Sequence, residues 1–183
     1  VTGKESFKMS CAQERIQHIL ALYKVVHFYD FEHNPHIEDV QRGIKLYRDG
    51  QCDIVIAIGG GSVLDIAKSV VILTHQEGEI AEYVTGLRKM VSSTCSMIAI
   101  PTTAGTGSEA THFAVLYIGK TKYSLAHEMM LPKYTILDAE LTYSLPPKVI
   151  ASCGLDALSQ AIESYWSIHS TEESKQYSLE AMK

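Results

Sequence analysis

Hydrophobic positions in this chain follow two rhythms, and the change from one to the other falls at three glycines. Ile54 to Ile58 is an unbroken apolar run rich in β-branched residues, which predicts a buried strand. After Gly59, Gly60 and Gly61 the apolar positions of Ser62 to Leu73 recur with a helical period. The stretch reads as a strand feeding a helix through a tight glycine turn.

The same alternation runs through the first three quarters of the chain. Val1 to Ser6 is expected to end a strand at Gly3, Ala12 to Leu22 to form an amphipathic helix, and Val25 to Tyr29 to form the next strand. Asn34-Pro35 signals a turn before a helix from Ile37 to about Gly50, with Ile37, Val40, Ile44 and Tyr47 on its apolar face. Met97 to Ile100 and Tyr134 to Leu137 are further short strands, and Val115 to Ile118 with Tyr123 to Leu125 flank Gly119-Lys120 as a hairpin. Strands alternating with helices over short links predict an α/β fold: a Rossmann-like parallel sheet covered on both faces, with ligands at the carboxyl ends of its strands.

From Pro146-Pro147 onward strand signals vanish and the pattern is helical to the end. A boundary near residue 145 is expected, with an α/β domain over 1–145 and the beginning of an all-helical domain over 146–183. The first residue is Val1, and the helical pattern of Glu172 to Lys183 meets no glycine, proline or cap, so the chain is expected to be part of a longer protein.

Composition narrows the function classes. With 46% hydrophobic and 20% charged residues, 183 residues can bury a real core. A net charge of -5 without a block of like charges gives no footprint for nucleic acid or an anionic membrane. The longest apolar runs are strand-sized, so neither a membrane span nor a signal peptide is expected. Cysteines at 11, 52, 95 and 153 include no C-x-x-C pair, which argues against a zinc knuckle or a disulfide framework and for a reducing, cytoplasmic setting.

The residues themselves point to an anion. A helix starting near Ser62 directs free N–H groups at whatever lies before it, and glycines let that ligand approach the backbone, so a pyrophosphate fits. An ordinary strand-to-helix turn would use the same glycines, and the G-x-G-x-x-G fingerprint is absent. Likewise Thr102 and Thr103 suit either a ligand or a turn that bonds its own backbone. Asp65 reads as structural support in the first turns of the helix.

Three segments together, Gly59 to Lys68, Pro101 to Glu109 and Gly154 to Tyr165, resemble the iron-containing (group III) alcohol dehydrogenase family in order and spacing. The resemblance implies an N-terminal α/β domain binding NAD or NADP, a helical C-terminal domain holding one divalent metal (iron or zinc), a homodimer, and interconversion of small alcohols with aldehydes or ketones. It assigns Gly60, Gly61 and Ser62 to the cofactor pyrophosphate, Thr102 and Thr103 to phosphates and ribose, and Asn34 to the adenine side. Thr111, Phe113, Lys122 and Leu141 match positions around the ribose and nicotinamide. Gly3 stands where many NAD-preferring members carry an aspartate for the ribose 2′-hydroxyl, so Gly3 with Lys4 beside it is compatible with NADP.

In the third motif the family places a metal-ligating aspartate and, four residues on, a histidine. Here the pair is Asp156 and Gln160, a spacing that sets both on one helical face. A glutamine carbonyl is a harder, weaker donor than imidazole for iron or zinc. The remaining ligands, and with them the catalytic centre, are expected beyond Lys183. The Gln160 position resembles members that reduce phosphonoacetaldehyde; glycerol-dehydrogenase-like and maleylacetate-reductase-like chemistry, or a degenerate dinucleotide-binding module, are the alternatives.

Overall fold

The structure, a computed structural model, describes residues 1–10, 12–91 and 95–183. Cys11 lies outside these residues, while Cys52, Cys95 and Cys153 take part in no disulfide. In chain order the elements are α1 (Ser6–Met9), α2 (Ala12–Ile19), α3 (Ile37–Gly50), β1 (Ile54–Gly59), α4 (Gly61–Leu73), α5 (Ile80–Val84), β2 (Ser96–Pro101), β3 (Phe113–Ile118), β4 (Thr121–Ala126), β5 (Tyr134–Thr135), α6 (Pro147–Trp166) and α7 (Glu172–Ala181).

β1, β2 and β5 form a parallel sheet in that order, and β1 pairs with β2 in full register from Ile54 opposite Ser96 to Gly59 opposite Pro101. The register brings both strand ends, each followed by a loop, to one edge. Helix α4 is apolar nearly all round and buries ten residues from Val63 to Leu73, as a helix between a sheet and other elements must. It packs against β1, β2, β3 and α3, so the glycine turn opens onto the central helix of the domain. This is the expected Rossmann-like architecture. β3 and β4 form the expected hairpin, with Ile118 opposite Thr121.

Helix α3 spans the expected residues. Its first turn is closed by the His36 N–H donating to Asp39 Oδ2 at 3.0 Å, and its end is set by Gln51 in the left-handed region, φ 52°.

Four expectations are corrected. Val25 to Tyr29 is extended but is not a regular strand; Thr2 N–H donates to the Phe28 carbonyl at 3.0 Å, and the segment meets the sheet there. Thr2 itself forms a single parallel bridge to Ile58. Helix α2 stops at Ile19, because Leu22 and Tyr23 are exposed and bury nothing that would extend it. The last strand keeps two residues, Tyr134 and Thr135, since Leu137 is exposed and the chain turns at Asp138. α1 and α5, each five residues or fewer, are too short to show a period in the sequence.

The helical pattern past residue 146 is realised as α6 and α7 packed on each other. Among the described residues no helix is long and apolar enough to cross a membrane.

Candidate functional site at the glycine turn

Gly60 caps α4 in an extended conformation, and the first bonds of the helix run from Val63 and Leu64 N–H to the Gly60 carbonyl at 3.0 and 3.2 Å. The N–H groups of Gly61 and Ser62 precede those bonds and point out of the helix start. Each glycine has a packing reason. A Cβ at Gly59 would stand 2.7 Å from Val63 Cβ, one at Gly60 3.3 Å from Thr103 Cγ2 and Oγ1, and one at Gly61 3.2 Å from Thr106 Cγ2. The glycines thus let the loop after β2 lie directly on the helix start, a use that the sequence pattern alone does not distinguish from room for a ligand.

That loop begins at β2's end, where Thr102 N–H donates to the Gly59 carbonyl at 3.0 Å. Thr102 is 1% exposed, and its Oγ1, like the Oγ1 of Thr103, is buried with no hydrogen-bond partner among the described residues. A buried hydroxyl without a partner costs about 1–3 kcal/mol. Two of them beside a helix start are donors held ready for an acceptor, and phosphate oxygens fit them.

The other expected residues are placed around this turn in different ways. Ser62 Oγ donates to the His33 carbonyl, which leaves its N–H for a ligand and pins the exposed Asn34 next to the helix start. A Cβ on Gly3 would crowd Ser6 Oγ and reach Val63 Cγ2 at 3.8 Å, so Gly3 borders the same turn. Lys4 Nζ lies 3.2 Å from Asp30 Oδ1, an exposed pair that partly neutralises the positive charge beside Gly3. Leu141 is buried with Phe7, Ala12, Ile58 and Ile100 and acts as core.

Thr111 accepts from Lys68 Nζ at 2.9 Å, and Phe113, at the start of β3, gives Lys68 its carbonyl at 3.0 Å. Lys122 is exposed on β4 opposite Tyr117, whose N–H in turn donates to the Pro35 carbonyl at 2.8 Å. The segment from Asn34 to His36 and Lys122 therefore lie on opposite sides of β3. Asp65 is half-buried support, as expected, but through bonds to Ser108 and Val115 more than through the helix dipole.

On α6, Gln160 Nε2 donates to Asp156 Oδ2 at 2.9 Å, which brings the two side chains together on one face. Among the described residues no group of three histidine, cysteine, aspartate or glutamate side chains is placed to hold a metal ion. Asp156 and Gln160 alone are two oxygen donors and do not make a site for iron or zinc.

The sequence pattern missed Lys68, Ser108 and Gly105. A lysine at i+3 from an aspartate inside an apolar helix was the available signal for the first. Gly105 is at φ 145°, and a Cβ there would be 2.8 Å from the Cys153 carbonyl carbon, so the loop touches the main chain of α6. The loop that carries Thr102 and Thr103 is thereby held between the start of α4 and the helix bearing Asp156.

A model of the family described as iron-containing alcohol dehydrogenase matches residues 1–139. The long-chain-alcohol dehydrogenase 1 of Geobacillus thermodenitrificans is 39% identical over 161 residues, which cover 86% of this chain and 41% of that protein. The sulfoacetaldehyde reductase of Bilophila wadsworthia is 38% identical over 151 residues, 81% of this chain and 39% of the relative. Among solved structures, a sulfoacetaldehyde reductase from Bifidobacterium kashiwanohense in complex with NAD+ superimposes with a TM-score of 0.83 at 39% identity, covering 91% of this chain and 44% of the other. A 1,3-propanediol oxidoreductase gives 0.88 at 30% identity, covering 98% of this chain and 47% of the other. The chain thus spans well under two thirds of the length of these relatives.

Proposed function

This chain belongs to the iron-containing alcohol dehydrogenase family, and from that premise we propose that it is part of an NAD(P)-linked oxidoreductase interconverting a primary alcohol and an aldehyde. The observation that carries the proposal is the pair of buried, unpartnered hydroxyls of Thr102, whose N–H bonds the Gly59 carbonyl, and Thr103, which lies against Gly60. The dinucleotide, when bound, supplies or accepts the hydride.

The chain's own residues bind and orient it. The N–H groups of Gly61 and Ser62 and the two threonine hydroxyls take the pyrophosphate. Asn34 lies on the adenine side and Gly3 at the ribose 2′ position, while Thr111, Phe113 and Lys122 bound the ribose and nicotinamide and Leu141 stays in the core. Residues 1–145 form the nucleotide-binding domain, and 146–183 begin the domain that carries Asp156 and Gln160 as metal ligands. The hydrogen bond between that pair turns the Gln160 amide nitrogen toward Asp156 and leaves its carbonyl oxygen for a hard cation. Two donors carry no catalytic step by themselves. The partners on this reading are a small alcohol or aldehyde and a second copy of the chain, in the cytoplasm.

The substrate class we favour is a short aldehyde bearing an anionic group. The sulfoacetaldehyde reductases among the relatives support it, and so does Gln160, which resembles members acting on phosphonoacetaldehyde. A second reading, a dinucleotide-binding module without catalysis, is favoured by the same Gln160 standing where the family motif has histidine.

The test is NADH and NADPH oxidation by the intact protein on a panel of short aldehydes, with phosphonoacetaldehyde and sulfoacetaldehyde among them, alongside metal analysis. Turnover supports the dehydrogenase. Saturable NADH binding without turnover of any aldehyde supports the binding module.

A further inference from the structure

Lys68 is fully buried in an apolar helix, surrounded in sequence by Leu64, Ile66, Ala67, Val70 and Val71, all buried. A charged ammonium there is costly unless every proton is used. Its Nζ donates to Ser108 Oγ at 3.1 Å, to Thr111 Oγ1 at 2.9 Å and to the Phe113 carbonyl at 3.0 Å. These acceptors lie on the one segment that runs from the Thr102–Thr103 loop into β3. An ammonium has three protons and no lone pair, so its charged form matches the set and the neutral amine does not.

Asp65, one turn earlier, closes the clamp. Ser108 Oγ donates to its Oδ1 at 2.9 Å and Val115 N–H to its Oδ2 at 3.0 Å. Ser108 N–H donates in turn to Thr106 Oγ1 at 3.3 Å, and Thr106 is the residue lying on Gly61. The clamp therefore reaches the nucleotide-facing loop in one step.

Resting on the nucleotide-binding reading above, we infer that Lys68 is a positioning residue that holds the loop from Thr102 to Phe113 over the glycine turn, and that its protonated form favours binding of the anionic dinucleotide. Burial lowers its ammonium to about 8, with Asp65 on its own helix and Glu109 on the loop pulling the other way; these are the charged groups that bear on it. As pH rises through that value, one of the donated bonds is lost, together with a positive charge about 10 Å along the helix from Gly61. By linkage, dinucleotide binding draws a proton onto Lys68.

The test is fluorescence titration of the intact protein with NADH from pH 6.5 to 9.5, with calorimetry in two buffers of different ionisation enthalpy. The unaltered protein loses about tenfold in affinity across a limb centred near pH 8 and takes up protons there on binding. Lys68→Met binds about tenfold more weakly at pH 7 and shows no limb; Lys68→Arg, whose guanidinium does not titrate, keeps its affinity to pH 9.5. Affinity independent of pH with no proton uptake in the unaltered protein overturns the inference, and needs no variant to fold. A limb retained in a folded Lys68→Met overturns it too. Failure of the unaltered protein to bind NADH at pH 7 overturns the nucleotide reading itself, and this inference with it.

Discussion

Gly105 and the Cys153 carbonyl occupy space that no side chain can share: at φ 145° a Cβ on residue 105 would stand 2.8 Å from the Cys153 carbonyl carbon and nearer still to its oxygen. Backbone meets backbone here, so neither partner can swing away. The contact fixes α6, and with it Asp156 three residues on, against the loop that carries Thr102 and Thr103.

Gly105→Ala is therefore expected to cost about 2–4 kcal/mol, from the strained backbone region and the main-chain clash together. Urea unfolding of the intact protein reads this as a lower midpoint. An unchanged midpoint would mean that the loop and α6 are not in contact.

Gly60→Ala meets a softer obstacle, the Thr103 side chain at 3.3 Å. It is expected to change stability by less than about 1 kcal/mol while weakening NADH binding about tenfold, because Thr103 must turn its hydroxyl to make room. NADH titration against a thermal melt separates the two effects.

Gly3→Asp places a carboxylate where the ribose 2′ position is proposed to lie. The new Cβ displaces only the Ser6 hydroxyl, which can rotate. NADPH affinity is expected to fall at least tenfold relative to NADH, by repulsion of the 2′-phosphate. Equal loss for both dinucleotides would remove Gly3 from that position.

Lys68 also makes stability depend on pH. Its folded-state pKa is about 8, below the ordinary lysine value of 10.5, so between these values the unfolded chain holds more protons than the folded one. The charge is a cost to the fold below pH 8, and that cost is relieved as pH rises toward 10.5. Relative to Lys68→Met, the unaltered protein is expected to gain up to roughly 3 kcal/mol across this window, read by urea unfolding at each pH. A constant difference would contradict the burial of the charge.

Much of this site was legible in the chain. The β-branched run of Ile54 to Ile58 followed by three glycines located β1, the turn and α4 because strand propensity, turn chemistry and helical period agreed there. The spacing of Asp156 and Gln160 placed both on one face for the same geometric reason. Val25 to Tyr29 misled because β-propensity reports a half-buried surface and says nothing of a partner strand; the segment meets the sheet through Thr2, whose N–H reaches the Phe28 carbonyl and whose hydroxyl lies 2.8 Å from His27 Nε2. The role of Lys68 was hidden because its acceptors lie 40 to 45 residues further along the chain. Leu141 was assigned beside the nicotinamide by resemblance alone, while its burial against Phe7 and Ile100 required the fold.

The most direct test of the central claim is deuterium transfer from NADH labelled at C4 of the nicotinamide to a short aldehyde, catalysed by the intact protein. The account predicts one deuterium on the carbinol carbon of the product and an enzyme inactivated by loss of the Gly60–Gly61 turn. Binding of NADH with no labelled alcohol formed would contradict it and leave a nucleotide-binding module in place of a dehydrogenase.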